Sequence, residues 1–192
     1  PALPVKNVKE LIALAKAKPG QLNYANSGTG ANAHLAAELF KSMTGTSIEA
    51  IAYKSAAPAL VDLIAGQTHL MFATSLSVMQ HIQSGKLRAL GVTTAKRVAA
   101  VKDLPTIAES GLKGYEMLNW LGMFAPTGTP RSIVDKLSME SMRIVRQPDV
   151  RERLNAQGAE PAPLGADEFA AFVKNEIDKW AKIVAITRMT VD

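Results

Sequence analysis

The chain has 192 residues, 22 of them Lys or Arg against 17 Asp or Glu, for a net charge of +5, and it contains no cysteine. That length buries the core of one large domain or two small ones, and the missing cysteine excludes disulfides, thiolate nucleophiles and cysteine-based zinc sites. The basic residues are scattered and form no stripe, which argues against nucleic acid and leaves a mild positive bias suited to an anionic small molecule.

No apolar run reaches the ~20 residues that a helical bilayer span requires. The chain starts at Pro1 and carries no leader-like stretch, so a leader removed by processing or truncation is expected. Asn7, Val8, Lys9 and Glu10 read as a capping box, with Val8, Leu11, Ile12 and Ala15 repeating at helical spacing until Pro19 and Gly20. Leu22 to Tyr24 is a short strand, followed by a loop carrying Gly28 and Gly30 and then by a helix with Leu35, Leu39 and Met43 one turn apart. A second strand runs from Ile48 to Tyr53. A helix from about Pro58 presents Leu60, Leu63 and Ile64 and ends at Gly66. Leu70 to Ala73 reads as a third strand, Ser77 to Gln83 as a short helix, and Leu87 to Thr93 as a fourth strand.

Strands and helices alternating in this way imply a parallel sheet, whose strands all end on one side. The residues at those ends are Asn26 and Ser27, Lys54 and Ser55, Thr74 and Ser75, and Thr93 and Thr94. Ligands of open α/β sheets bind beyond the carboxyl ends of the strands, so these hydroxyls and one lysine form a candidate pocket rim. The plainer alternative is that Ser55 and Ser75 cap the helices that follow them, and that Lys54 is a solvated surface charge.

The stretch from Ser27 to Asn32 (SGTGAN) holds the sharpest local signal. Its glycines permit positive φ and a close backbone approach, and the helix beyond them opens with amides that lack intrahelical partners. A phosphate loop of the Walker type would need Gly-Lys-Ser/Thr, and Ala31 and Asn32 follow Gly30 instead. A dinucleotide turn accepts Gly28-x-Gly30-x-x-Ala33, but Glu49, its candidate ribose ligand, precedes the apolar run Ile51 to Ala52 where it should follow it. The third reading is a carboxylate held by main-chain amides with help from Ser27, Thr29 and Asn32.

Beyond Ala95 the pattern changes. Leu104 to Ser110 reads as a short helix and Glu116 to Ala125 as a long extended apolar run. Thr129 is placed to cap a helix with Pro130 at its first position, running through Ile133, Val134, Leu137 and Ile144. Another helix is expected from Pro148 to before Gly158, a short strand around Glu160 to Pro163, and a long helix from Asp167 carrying Phe169, Val173, Ile177, Trp180 and Val184. Three amphipathic helices with so little strand to cover predict that further chain completes a second lobe.

Taken together, PVKNVKELIALAKAKPGQLNYANSGTG, AHLAAELFK, AYKSAAPALVDLIAGQ, GKLRALGVTTAKR, LPTIAESGLKGYE, WLGMFAPTGTP and VRERLNAQGAEP resemble the Bug-type periplasmic solute-binding receptors of tripartite tricarboxylate transporters over the full length of the chain. The resemblance implies a type II periplasmic-binding-protein fold, with residues 1–115 as one α/β lobe and residues 116–192 as a hinge strand and helices of the other. It implies a small organic anion between the lobes, integral-membrane permease subunits as partners, a periplasmic location, no cofactor and no catalysis. Such receptors are roughly twice the length of a single domain. Their amino-terminal ligand loop, rich in Pro and Gly, has no counterpart here, so the amino-terminal part of one lobe is expected to be missing.

Carried over residue by residue, the family's contact loops fall on Ser27, Gly28, Thr29, Gly30, Ala31 and Asn32, and on Lys54, Ser55 and Ala56, with Thr74 and Ser75 at the third strand end. Ser55 stands where many relatives have Gly. Ala73 and Thr74 stand where relatives place an acid or amide for a ligand ammonium, which points to a plain mono- or dicarboxylate over an amino acid. Trp120 is either a flat cleft wall or a hinge-core residue. His34 is expected to bond loop carbonyls, and His69 and His81 are ordinary core or surface residues forming no metal set with it. The only nucleophile and base pair for an enzyme is Ser27 or Ser55 with His34, and no acid is placed in sequence to orient that histidine.

Overall fold

The computed structural model describes residues 3–187. Its element order is α1 (Val8–Ala17), β1 (Leu22–Asn26), α2 (Asn32–Thr44), β2 (Ile48–Ala52), α3 (Ala56–Ala65), β3 (Leu70–Met71), α4 (Ser75–Gln83), α5 (Arg131–Val145), α6 (Pro148–Ala156) and α7 (Ala166–Thr187), with a single 3-10 turn at Ala99–Val101. The three strands form one parallel sheet in the order β2-β1-β3.

The first helix begins as its sequence dictates. Asn7 accepts the Glu10 N–H at 2.9 Å, and the Glu10 carboxylate reaches back to the Lys6 N–H at 2.7 Å, so reciprocal bonds satisfy two amides at the helix entry. Val8, Leu11 and Ala15 are then buried. The sheet register pairs Leu22 with Ile48 and Tyr24 with both Ala50 and Leu70. Leu22, Tyr24 and Ile48 join α1, α2 and the segment Ile107, Leu112, Tyr115 and Met117 in one hydrophobic core. The Tyr115 hydroxyl donates to the Ala36 carbonyl at 2.9 Å, tying that segment onto α2. Ala25 points to the opposite face of the sheet, and α3, which packs on β1 and β3, buries only Ala59.

Several expectations are corrected. The face of α2 that is buried is Ala36, Ala37, Phe40 and Thr44, with Leu35 and Leu39 at its flanks and Met43 exposed. Small alanines let the helix lie close to the sheet, while the larger leucines pack along the rim. The expected strand Leu87 to Thr93 builds no ladder; only Val92 pairs with Thr106, in an isolated parallel bridge. Val92 accepts from the Ile107 N–H and donates to the Pro105 carbonyl, both at 2.9 Å, and Pro105 has no N–H with which to continue the pairing. The third strand stops at Met71, where its register with β1 ends at Ala25. The helix expected over Leu104 to Ser110 is a single turn, closed by reciprocal 2.9 Å bonds between Thr106 and Glu109 and ended at Gly111. Glu160 to Pro163 is not a strand, and Pro161 and Pro163 explain why, having no ladder donors. Thr129 does not cap α5: Pro130 holds the cap position, and the Thr129 hydroxyl donates back to the Pro126 carbonyl at 2.8 Å.

Helices α5 and α6 bury no residue among those described. The run Glu116 to Ala125 pairs with no strand. Its Trp120 and Phe124 pack instead on Phe169 and Phe172 of α7, with ring centroids 5.4–5.6 Å apart. Leu121 remains 97% exposed, and Met123, Ile133, Met139 and Ile177 are exposed as well, so the apolar stripes of this half lack the cover that the sequence demands.

Candidate functional site

At the carboxyl end of β1, Asn26 is almost fully buried, and its side-chain oxygen accepts the Gly28 N–H at 2.9 Å. Gly28 has φ 124° and Gly30 φ 79°, backbone states that favour glycine, and they turn the chain so sharply that the Ala31 N–H reaches the Gly28 carbonyl at 3.2 Å. The Gly30 N–H donates to His34 Nδ1 at 3.0 Å. The amides of Gly28, Gly30 and Ala31 are therefore spent inside the loop. The N–H groups of Thr29, Asn32, Ala33 and His34 have no partner among the described residues, and Ala31, at the cap position of α2, has no side chain with which to cap them.

Since β1 is the middle strand, this loop lies between the ends of β2 and β3. On the β2 side Tyr53 continues the sheet, its N–H on the Asn26 carbonyl at 2.9 Å and its hydroxyl on Asp62 at 2.8 Å. Lys54 and Ser55 follow at the same edge, and Lys54 has no ion pair among the described residues. Ser55 does occupy the cap position of α3, yet its hydroxyl makes no capping bond, so α3 also opens, at Ala56, with free amides. On the β3 side Thr74 sits at the cap of α4 without capping it and bonds Ser77 at 3.1 Å. The Ser75 hydroxyl donates to the Gly158 carbonyl at 2.9 Å, which fastens α4 to the chain after α6. Three helices thus begin at one sheet edge with no side-chain cap, and their positive ends, with Lys54, make that edge favourable for negative charge.

The residues that the sequence singled out are distributed unevenly around this edge. Ser27 to Asn32, Lys54, Ser55 and Ala56 surround the end of β1 and β2, and Thr74 and Ser75 the end of β3. Trp120, half-buried, presents its ring to the α7 aromatics at interplanar angles of 79° and 82°. His34 accepts a loop N–H where donation to loop carbonyls was expected. Asn119 carries no local signal in the sequence, yet its side-chain oxygen accepts from Asn32 Nδ2 at 2.5 Å across 87 residues. Nothing local could have revealed that pair. Glu49 lies near the start of β2, opposite Asn23, at the wrong end of its strand for a ribose ligand, so the geometry does not support a dinucleotide turn. His69 is structural, its Nδ1 3.1 Å from the Asn23 N–H. Among the described residues no three His, Asp or Glu side chains gather as a metal site. A cavity of about 660 Å³ between Ile82, Leu87, Val101 and Leu104, with Arg88, Lys102 and Asp103 also in its wall, is lined by none of the loop residues.

Residues 1–189 match the family described as the tripartite tricarboxylate transporter family receptor. The chain belongs to that family. Protein BugT of Bordetella pertussis is a relative of this family chain, 35% identical over 187 residues, which are 97% of the chain and 57% of BugT. Among solved structures, an R. palustris protein with adipate superposes with a TM-score of 0.92 at 37% identity, covering 100% of this chain and 64% of that one. The periplasmic binding protein BugD superposes with a TM-score of 0.87 at 36% identity, with the same coverage of 100% and 64%. This family chain therefore spans a little over half the length of BugT and under two thirds of the solved proteins. The matches also support the parallel-sheet α/β fold of a periplasmic binding protein.

Proposed function

We propose that the chain is the larger part of an extracytoplasmic receptor that captures a small carboxylate and delivers it, chemically unchanged, to the membrane permease of a tripartite transporter. The observation that carries the reading is the strand-end edge itself. Free amides of Thr29, Asn32 and Ala33, hydroxyls of Ser27 and Ser55, and the unpaired Lys54 are gathered at helix starts that no side chain caps. A relative solved with adipate supports a carboxylate as the ligand, and BugD's standing as a periplasmic binding protein supports the location.

On this reading residues 1–115 form one lobe, and residues 116–192 cross to the other. Ser27, Gly28, Thr29, Gly30, Ala31, Asn32, Lys54, Ser55, Ala56, Thr74 and Ser75 surround the ligand, the two glycines and Ala31 by shaping the loop, Ser75 by fastening α4 through its bond to the Gly158 carbonyl, and the others by offering donors. Trp120 contributes by holding the crossing run against α7. Ala73 and Thr74 offer no charge to a ligand ammonium, which favours an unaminated mono- or dicarboxylate.

The test is calorimetry and thermal shift on the protein as expressed from its own gene, with adipate, shorter dicarboxylates, aspartate and glutamate. Binding of an unaminated acid raises the melting temperature while the acid is recovered intact. Tighter binding of aspartate or glutamate, or turnover of the acid, defeats the proposal.

A further inference from the structure

A histidine, a carboxylate, a phenol and an ammonium are packed together directly behind the loop. Glu38 on α2 accepts from the Tyr24 hydroxyl at 2.8 Å and from Lys41 Nζ at 2.7 Å, and its same oxygen lies 3.8 Å from His34 Nε2. The His34 and Glu38 side chains are only 13% and 14% exposed. The imidazole stacks on the Tyr24 ring, with centroids 6.4 Å apart at 22°, and Lys41 Nζ sits 5.8 Å from the centre of that same ring. Burial, and then Glu38, push the Tyr24 phenol well above its usual range, so it stays a donor to the carboxylate.

The other ring nitrogen faces forward. His34 Nδ1 is 3.0 Å from the Gly30 N–H, and a nitrogen that accepts a bond from a main-chain amide cannot itself carry a proton. The ring proton therefore sits on Nε2, the nitrogen 3.8 Å from Glu38. The geometry points to His34 as a positioning residue of the ligand site: as the Nε2–H tautomer, with Glu38 3.8 Å from that nitrogen, it ties down the Gly30 amide and so fixes which loop amides face a bound carboxylate. Gly30, at φ 79°, is kept in its turn by that bond. The amides of Thr29, Asn32 and Ala33, which have no partner among the described residues, are then left as the donor set. Without the tie, the Gly30 N–H competes as a donor and the loop samples other turns. This rests on the carboxylate-receptor reading above, and it assigns His34 a role through Gly30, with no contact to the ligand.

Nitrogen NMR of the imidazole, together with the Gly30 amide resonance, tests the tautomer on the unsubstituted protein without any ligand. A proton on Nδ1 at neutral pH overturns the inference. Two substitutions follow, read by adipate calorimetry. His34→Leu removes the acceptor and is expected to weaken binding about three- to tenfold, the scale of one neutral hydrogen bond, and to move the Gly30 amide resonance. His34→Asn places an oxygen near the Nδ1 position and is expected to restore both to near the starting values. Equal affinity in the Leu variant, or failure of Asn to restore what Leu loses while both remain folded, refutes the positioning role. If the unsubstituted protein binds neither adipate nor any other carboxylate, the receptor reading falls, and the tautomer and the Gly30 resonance still decide the role of His34. Should the Leu variant not fold, the tautomer and the affinity of the Asn variant decide between a positioning and a merely structural histidine.

Discussion

The crossing run touches α7 at a point that a single methyl group can probe. A β-carbon added at Gly122 would collide with Phe169 Cζ and lie 2.8 and 2.9 Å from its two Cε atoms. Gly122 is not among the glycines with positive φ, so alanine meets no backbone penalty there and the cost is purely steric. Phe169 cannot simply rotate away, because its ring is held against Trp120, Phe124 and Phe172 at centroid distances of 5.6, 5.4 and 6.3 Å. Gly122→Ala must push the ring out of that cluster or lift the run from the helix, a repacking that typically costs about 1–3 kcal/mol. In a chain of this length each kcal/mol lowers the melting temperature by roughly 2–4 °C. The assay is a thermal and urea double-mutant cycle with Phe169→Leu, which removes the very atoms that clash. Alanine at 122 is expected to cost most of that energy beside Phe169 and little beside leucine. Equal costs in both backgrounds would show that the run does not lie on α7, and the assignment of residues 116–192 to the second lobe would lose its local support.

Three further outcomes are expected. Burial raises the Tyr115 phenol, and burial with Glu38 raises Tyr24, so the folded chain keeps protons that the unfolded chain releases from about pH 10 upward. Stability is then complete below that pH and falls as pH rises past it, and urea midpoints between about pH 8 and 11 should show a decline that Tyr115→Phe makes shallower. Ser75→Ala leaves the Gly158 carbonyl without its hydroxyl donor and is expected to cost about 1 kcal/mol in urea unfolding while carboxylate affinity holds once the protein is folded; a large loss of affinity would instead place Ser75 on the ligand. Lys54→Gln should weaken dicarboxylate binding about two- to fivefold, with the difference shrinking as salt is added, and an effect indifferent to salt would contradict an electrostatic role for the ammonium.

Much of the first half was legible because its elements are specified by neighbours in sequence. The Asn7 and Glu10 box, the strand–loop–helix order from Leu22 to Thr44, and the apolar run from Ile48 each depend on spacings of a few residues, and the structure places all of them where those spacings put them. The edge at which the ligand loop lies follows from the alternation of strand and helix, since parallel strands must end together. The motifs that linked the chain to its family were likewise continuous segments.

What the sequence could not supply was the partner each group would meet. An extended run such as Leu87 to Thr93 becomes a strand only if a neighbour offers both donors and acceptors, and here the chain that arrives brings Pro105. A glycine-rich loop announces available amides, but whether they face a ligand or the protein depends on the Asn26 oxygen and the His34 nitrogen, which turn those of Gly28 and Gly30 inward. Asn32 and Asn119 are too far apart in sequence for any periodicity to join them. Local order is encoded in propensity and spacing; hydrogen-bond pairing and side-chain facing are settled only when distant segments are brought together, and that step belongs to the tertiary structure.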